Sequence, residues 1–287
     1  MAKLVNWTVA EYEAETTRLR STSLKSILGP HGPREWYLRE TGQLQTERRE
    51  GDHFDLGTLL HDAILQGKRD WFIYDKRRIG KEFDAAKADN PGKIAIKTSD
   101  EQVLLAMYDS VMANKDARSL IESSAAEQTF LWDDETGITC KARADIYCPN
   151  GTIADIKTWT SRNGQCTPER FFWHVEDLGY HHSAAFYEAG RDACVGKMNA
   201  PFIHIAVFKK PPYWCYVWPL SDYALEVARR DVRKGLDLLH QCQQNEMALL
   251  ANGQDGAEAY PDPMLSDQGL GYTPSDSWLA RNDYGYV

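Results

Sequence analysis

In the segment KARADIYCPNGTIADIKTW, residues 141–159, two carboxylates and an ammonium stand at spacings that suit phosphate chemistry. Asp155 and Lys157 are two residues apart in an apolar run. On a strand, both side chains would leave the same face. Asp145 closes the preceding apolar run, and Pro149-Asn150-Gly151 between the two is a strong hairpin signal, so the turn folds Asp145 back beside Asp155. Phosphodiester hydrolysis needs such a group. Carboxylate oxygens hold one or two hard cations such as Mg²⁺, which polarise the phosphate and acidify bound water. A lysine orients that water or stabilises developing charge. Asp-x-Lys alone is more often a solvated ion-pair face. Here, however, both aspartates lie among Ala144, Ile146, Ile153, Ala154 and Ile156, where buried charges without partners would be costly.

The elements that must place these residues follow from periodicity. Glu127–Trp132, Ile138–Tyr147 and Thr152–Thr158 read as a three-stranded meander, and Phe202–Lys209 and Trp214–Pro219 as two further strands around a Pro211-Pro212 turn. Ser21-Thr22-Ser23 predicts a cap for a short helix ended by Gly29-Pro30, and Gly32-Pro33 starts another. A helical period runs from Asp55 to Gly67, and helices are also expected over Ser99–Ser123, Pro168–Cys194 and Ser221–Leu250. Residues 75–98 lack periodicity and read as a long mobile loop. The sequence thus predicts an α/β fold, a central mixed sheet flanked by helices. Residues 1–50 form a helical segment packed on a core of 51–250, and 251–287 an extended tail.

Bulk properties narrow the class. Hydrophobic residues make up 43% and charged residues 26% of the 287, ordinary for a globular enzyme. No apolar run approaches the ~20 residues that span a bilayer, and the N-terminus has no signal core, so a cytoplasmic protein without membrane contact is expected. The six cysteines are scattered without a CxxC pair, which predicts reduced thiols rather than a zinc ribbon or disulfide framework. The net charge of −9 argues against general coating of DNA. It leaves room for a local basic channel beside carboxylates awaiting metal.

ADIYCPNGTIADIKTW resembles the core of the PD-(D/E)XK nuclease superfamily, with Asp145 as the first acid and Asp155-Ile156-Lys157 as the D-x-K element. Within it, the chain is most similar to the RecE-type (exonuclease VIII) nucleases of phage and prophage recombination. Gly57-Thr58-Leu59-Leu60-His61 resembles that family's G-x-x-x-H helix, and Asp155-Ile156-Lys157-Thr158 its D-[IL]-K-T. Tyr180 to Tyr187 resembles its Y-x-x-Q-x-A-x-Y helix, and Ser21 to Leu28 its S-x-S-x-L-K element. The resemblance implies a restriction-endonuclease-like core with metal held by His61, Asp145, Asp155 and the Ile156 carbonyl. It implies catalysis by Asp145, Asp155, Lys157 and Glu127, the last of these near the metals. DNA contacts are expected at Thr158, Ser183, Tyr187, Lys25 and Arg20. One position departs: Ser183 stands where the family has glutamine, so that role falls to His182 or to no residue.

Each flanking residue also has a plain structural reading. His61 fits a core histidine, Glu127 an exposed strand end, Tyr187 core packing, and Trp173 either a core aromatic or a nucleotide stack. The implied function is a Mg²⁺-dependent exonuclease, with Mn²⁺ as substitute. It would cut double-stranded DNA 5′→3′ to leave 3′ single strands for a single-strand annealing partner, as a homo-oligomeric ring, a tetramer. Three readings compete with it. The first is another PD-(D/E)XK enzyme, helicase-associated or endonucleolytic, against whose iron–sulfur subclass the cysteine spacing speaks. The others are a non-catalytic DNA-binding relative and an accidental motif on an unrelated α/β fold.

Overall fold

The computed structural model describes residues 1–44, 52–161 and 164–262, with side chains for all of these except 52–55. The expected boundary between residues 50 and 51, and the tail beyond 262, lie outside the described residues. The chain runs β1 (Lys3–Val5), α1 (Val9–Ala14), α2 (Ser21–Ile27), α3 (Gly32–Glu40), α4 (Asp52–Leu65), β2 (Trp71–Ile73), α5 (Lys81–Asp89), β3 (Ile94–Ile96), α6 (Thr98–Ala113) and α7 (Lys115–Glu122). It continues through β4 (Ala125–Asp133), β5 (Thr139–Tyr147), β6 (Ile153–Trp159), α8 (Pro168–Asp177), α9 (Tyr180–Val195), β7 (Phe202–Phe208), β8 (Cys215–Pro219) and α10 (Asp222–Ala251).

Among the described residues the main sheet has six strands in the order β1-β4-β5-β6-β7-β8. Neighbours are antiparallel except β6 and β7, which run parallel. A parallel pair needs a long crossover, and α8 and α9 supply it. The sheet is therefore mixed and flanked by helices, as the sequence predicts. Its two faces bury separate cores. On one, Phe130, Trp132, Ile153, Trp159 and Phe208 pack with Leu24 of α2, Phe186 of α9 and Leu236 of α10. On the other, Ile146, Ala154, Ile156 and Ile205 meet Leu59 and Leu60 of α4 and Met107 of α6. Each large side chain fully removed from water contributes roughly 1.5–3 kcal/mol, so α4 and α9 are clamped to opposite faces of the central strands.

Several elements differ from the sequence expectation. Residues 75–98 are not a structureless loop: they hold α5 and β3, and Ile94, Ala95 and Ile96 pair in parallel with Trp71, Phe72 and Ile73. The helix expected over 99–123 breaks at Asn114, whose side-chain oxygen accepts the Asp116 and Ala117 N–H groups and caps α7. The helix expected over 168–194 breaks at Gly179, which takes φ 61°, a backbone that favours glycine. α2 starts at Ser21 without the expected serine cap, since its N-cap position is Arg20. The N-terminal segment contributes a strand, β1, against β4. Residues just past α10 are packed rather than extended. Tyr260 is buried, stacks on Tyr37 at 4.4 Å and donates its hydroxyl to Glu246 at 2.6 Å.

Candidate active site

The site begins where two strands part. β5 and β6 pair at Ile146↔Ala154 and Tyr147↔Ile153, which puts Asp145 level with Asp155, as the hairpin predicts. The turn is pinned from outside: buried Arg191 of α9 donates to the Gly151 carbonyl at 3.0 Å and to that of Ala200 at 3.2 Å. At Asp145 the regular alternation slips. Ala142 and Ala144 belong to the core of one face, Ile146 and Cys148 to the core of the other. Opposite it, Glu127 of β4 takes φ 57° and drops out of the ladder between Ala126↔Ile146 and Gln128↔Ala144. Left-handed backbone at a non-glycine residue is strained and tends to accompany functional sites.

Beyond the last β5–β6 pair, the backbone groups of Ile156 need other partners. Its N–H donates to Asp145 Oδ2 at 2.9 Å, and its carbonyl faces His61 Nε2 at 2.8 Å. His61 Nδ1 lies 3.3 Å from Asp145 Oδ2. The histidine reaches this point because α4 lies close on β6: a Cβ on Gly57 would stand 3.3 Å from Thr158 Oγ1. So His61, Asp145 and Ile156 converge. Both imidazole nitrogens face oxygens, yet a neutral ring carries one N–H, so one contact has no hydrogen to share. Imidazole, carboxylate and carbonyl together fit a divalent cation.

Asp155 sits on the same strand with its carboxylate turned to other partners, Lys157 Nζ at 2.5 Å and His204 Nδ1 at 3.7 Å. His204 is its register partner on β7. Burial alone would raise Asp155. Lys157 and His204 outweigh it and hold the carboxyl well below the usual range. Burial works against the Lys157 charge, but Asp155 and Asp145 outweigh it and keep the ammonium above its ordinary range. Asp145 behaves oppositely. Burial pushes it up to about 6, with His61 opposing the rise and Asp155 adding to it. One carboxylate is thus satisfied by a lysine in direct contact, while for the other burial outweighs the nearby His61 and Lys157.

The remaining expected residues fall at different distances from this centre. Lys25 reaches it. Its ammonium lies 5.6 Å from the Tyr180 ring centroid and Lys157 Nζ lies 4.8 Å from the same centroid. Burial, and then Lys157, push Lys25 down to about 8. Glu127 is engaged by Arg143 at 2.7 Å and by Gln66 at 2.9 Å. Tyr187 is held by the core, and burial followed by the Asp155 charge raises its hydroxyl. Ser183 is half-buried on α9, one turn past Gly179. His182 is tied to Asp231 of α10 at 3.2 Å rather than to Lys157. Arg20 forms a surface pair with Glu13 at 2.7 Å.

Sequence reasoning missed His204, Arg143 and Gln66. No local pattern marks them, because a parallel-strand register and a helix-to-strand contact are tertiary facts. Among the described residues, His181, His182 and Asp231 are also close enough to hold a metal. His182 and Asp231 are already hydrogen-bonded to each other there, linking α9 to α10. All six cysteines are free, and no described helix is long and apolar enough to cross a membrane.

Residues 21–251 match the family model described as "PDDEXK-like domain of unknown function (DUF3799)". The chain belongs to that family. This PDDEXK-like domain also resembles a solved structure from Eubacterium rectale named "Putative exonuclease", with a TM-score of 0.60 and 16% sequence identity over 92% of each chain. At that identity the likeness establishes the fold. No curated protein matches the sequence.

Proposed function

We propose that the protein is a metal-dependent deoxyribonuclease, and specifically a Mg²⁺-dependent 5′→3′ exonuclease acting on double-stranded DNA ends. The observation that carries the hydrolytic reading is the opening between β5 and β6. There His61, Asp145 and the Ile156 carbonyl converge beside the Asp155–Lys157 pair. A divalent cation bound there supplies Lewis-acid stabilisation of a phosphate oxygen and an acidified water. The chain's own residues do the rest. Asp155 keeps Lys157 protonated, and Lys157 donates hydrogen bonds to oxygens at the reacting phosphorus. His61, fixed by α4, orients Asp145. Lys25 adds a second positive group on the approach, where phosphate would otherwise meet the acidic surroundings. Polarity, Mn²⁺ as substitute, a tetrameric ring and hand-over of the 3′ single strand to an annealing protein rest on the RecE-type resemblance.

The test uses linear duplex labelled at one end, in Mg²⁺ or in EDTA, with the parent protein and Lys157→Ala. Shortening from the 5′ ends in Mg²⁺ is expected, with at least a hundredfold loss in the variant (about 2.7 kcal/mol of transition-state stabilisation). Cutting in EDTA, or a variant as active as the parent, would overturn the mechanism. Cutting of covalently closed circles would overturn the exonuclease assignment alone.

A further inference from the structure

A cleft of about 610 Å³ opens between the segment following β6 and the exposed side of α8, lined by Thr160, Ser161, Arg170, Trp173, His174 and Asp177 among others. Its wall residue His174 is linked to Lys157 by packed rings. Lys157 Nζ lies 4.8 Å from the Tyr180 ring centroid, Tyr180 lies 5.8 Å from His174, and His174 lies 6.3 Å from Trp159. At its rim, Trp173 is 52% exposed, the most exposed tryptophan among the described residues. The guanidinium of Arg170 lies 4.7 Å from the Trp173 ring centroid.

Leaving an indole in water forgoes a few kcal/mol of burial. An Arg–Trp pair at i,i+3 could serve α8 alone, as an exposed contact worth roughly 0.5–1 kcal/mol. That would not require the pair to border a cleft whose wall residue His174 packs against Tyr180, the ring beneath Lys157. A flat apolar ring beside a cation matches the two halves of a nucleotide, a base that stacks and a phosphate that pairs. The volume lies within the range of small-ligand pockets. His174 is held below its ordinary range by burial, so near neutrality it presents a neutral imidazole to base edges. Asp177 repels phosphate and accepts from base amino groups, which places the phosphate on the Arg170 side.

We propose that this cleft is a nucleotide subsite for the single strand flanking the cut, with a base stacked on Trp173 and its phosphate on Arg170. The proposal rests on the nuclease reading for its occupant, but its test does not need turnover. The catalytically silenced Lys157→Ala protein, with and without Trp173→Ala, is titrated in EDTA with a fluorescein-labelled octathymidylate. A companion oligonucleotide carries one abasic position at successive sites. Trp173→Ala should weaken binding about 5- to 100-fold, and Trp173→Phe should recover most of it. An abasic site at one position should weaken the Trp173-containing protein by the same factor and leave the Trp173→Ala protein unaffected. Arg170→Gln should lower the salt dependence by about one phosphate contact. Circular dichroism melts confirm that each variant is folded.

Binding by Trp173→Ala within twofold of the parent would overturn the subsite, as would abasic effects equal in both proteins. Competition by free thymidine monophosphate as strong as that of the octamer would overturn assignment to a strand. Trp173-dependent binding in a protein that cuts nothing would leave the cleft standing while the nuclease reading falls.

Discussion

Asp145 and Asp155 stand level on neighbouring strands and are the same residue type, yet their surroundings drive them apart. Asp155 is depressed by Lys157 and His204 against the effect of burial. Its contribution to stability is present above the ordinary carboxylate range and is lost only on strong acidification. Asp145, raised to about 6 by burial, does the reverse. Between about pH 4 and pH 6 the folded protein holds a proton that the unfolded chain has released, so stability falls as pH rises through that window. Two pKa units correspond to roughly 3 kcal/mol. In EDTA, urea unfolding of the parent should therefore lose on the order of 2–3 kcal/mol relative to Asp145→Asn between pH 4 and pH 7. Added Mn²⁺ at pH 7 should restore the parent alone. Parallel curves for the two proteins would show that the Asp145 charge is already satisfied without metal.

At the scale of elements, the meander was legible because Asn150-Gly151 between two apolar runs is a local hairpin signal, and it placed Asp145 beside Asp155. The three-residue strands β1, β2 and β3 were not, being too short for a period to show. Asn114 and Gly179 carried cap and turn signals inside long helical patterns, where the surrounding periodicity masked them. His204 was beyond reach because its partner is set by the offset between two parallel strands. Ser183 left open whether His182 fills the glutamine's place, and the Asp231 contact answers that it is occupied elsewhere. The α4–β6 contact supports a test of its own. Gly57→Ala gains up to ~1 kcal/mol of helix propensity, while its Cβ meets Thr158 Oγ1 at 3.3 Å. Stability should hold or rise, and Mn²⁺ affinity measured by calorimetry should fall severalfold as His61 is displaced. Adding Thr158→Ala should restore it. Unchanged affinity in Gly57→Ala would remove the close approach as the reason for glycine.

Across the whole molecule, a net charge of −9 is compatible with the proposed phosphate site, because cations stand close to it. Lys25 and Lys157 share one ring, and Arg143 sits behind Glu127. The C-terminal end of the described chain belongs to the same unit. Tyr260 closes the core over Tyr37 and Glu246, far along the sequence from α3. Tyr260→Phe should cost about 1 kcal/mol for the lost hydrogen bond and Tyr260→Ala about 3–5 kcal/mol, both read from urea midpoints. Two neutral variants would mean that this end is merely draped on the fold.

The parting of β5 from β6 also has a mechanical meaning. Three strands, β1-β4-β5, and three others, β6-β7-β8, are joined by two register pairs next to the hairpin. Past those pairs the boundary is crossed by the Ile156 N–H to Asp145 hydrogen bond and by His61, which touches one blade at Asp145 and the other at Ile156. Under tension applied across the sheet, the blades should peel apart at this seam first. A bound ion would act there as a rivet, raising the rupture force in the parent and leaving Asp145→Asn as weak as before. Seen this way, the cation that serves the chemistry would also carry load between the two halves of the molecule.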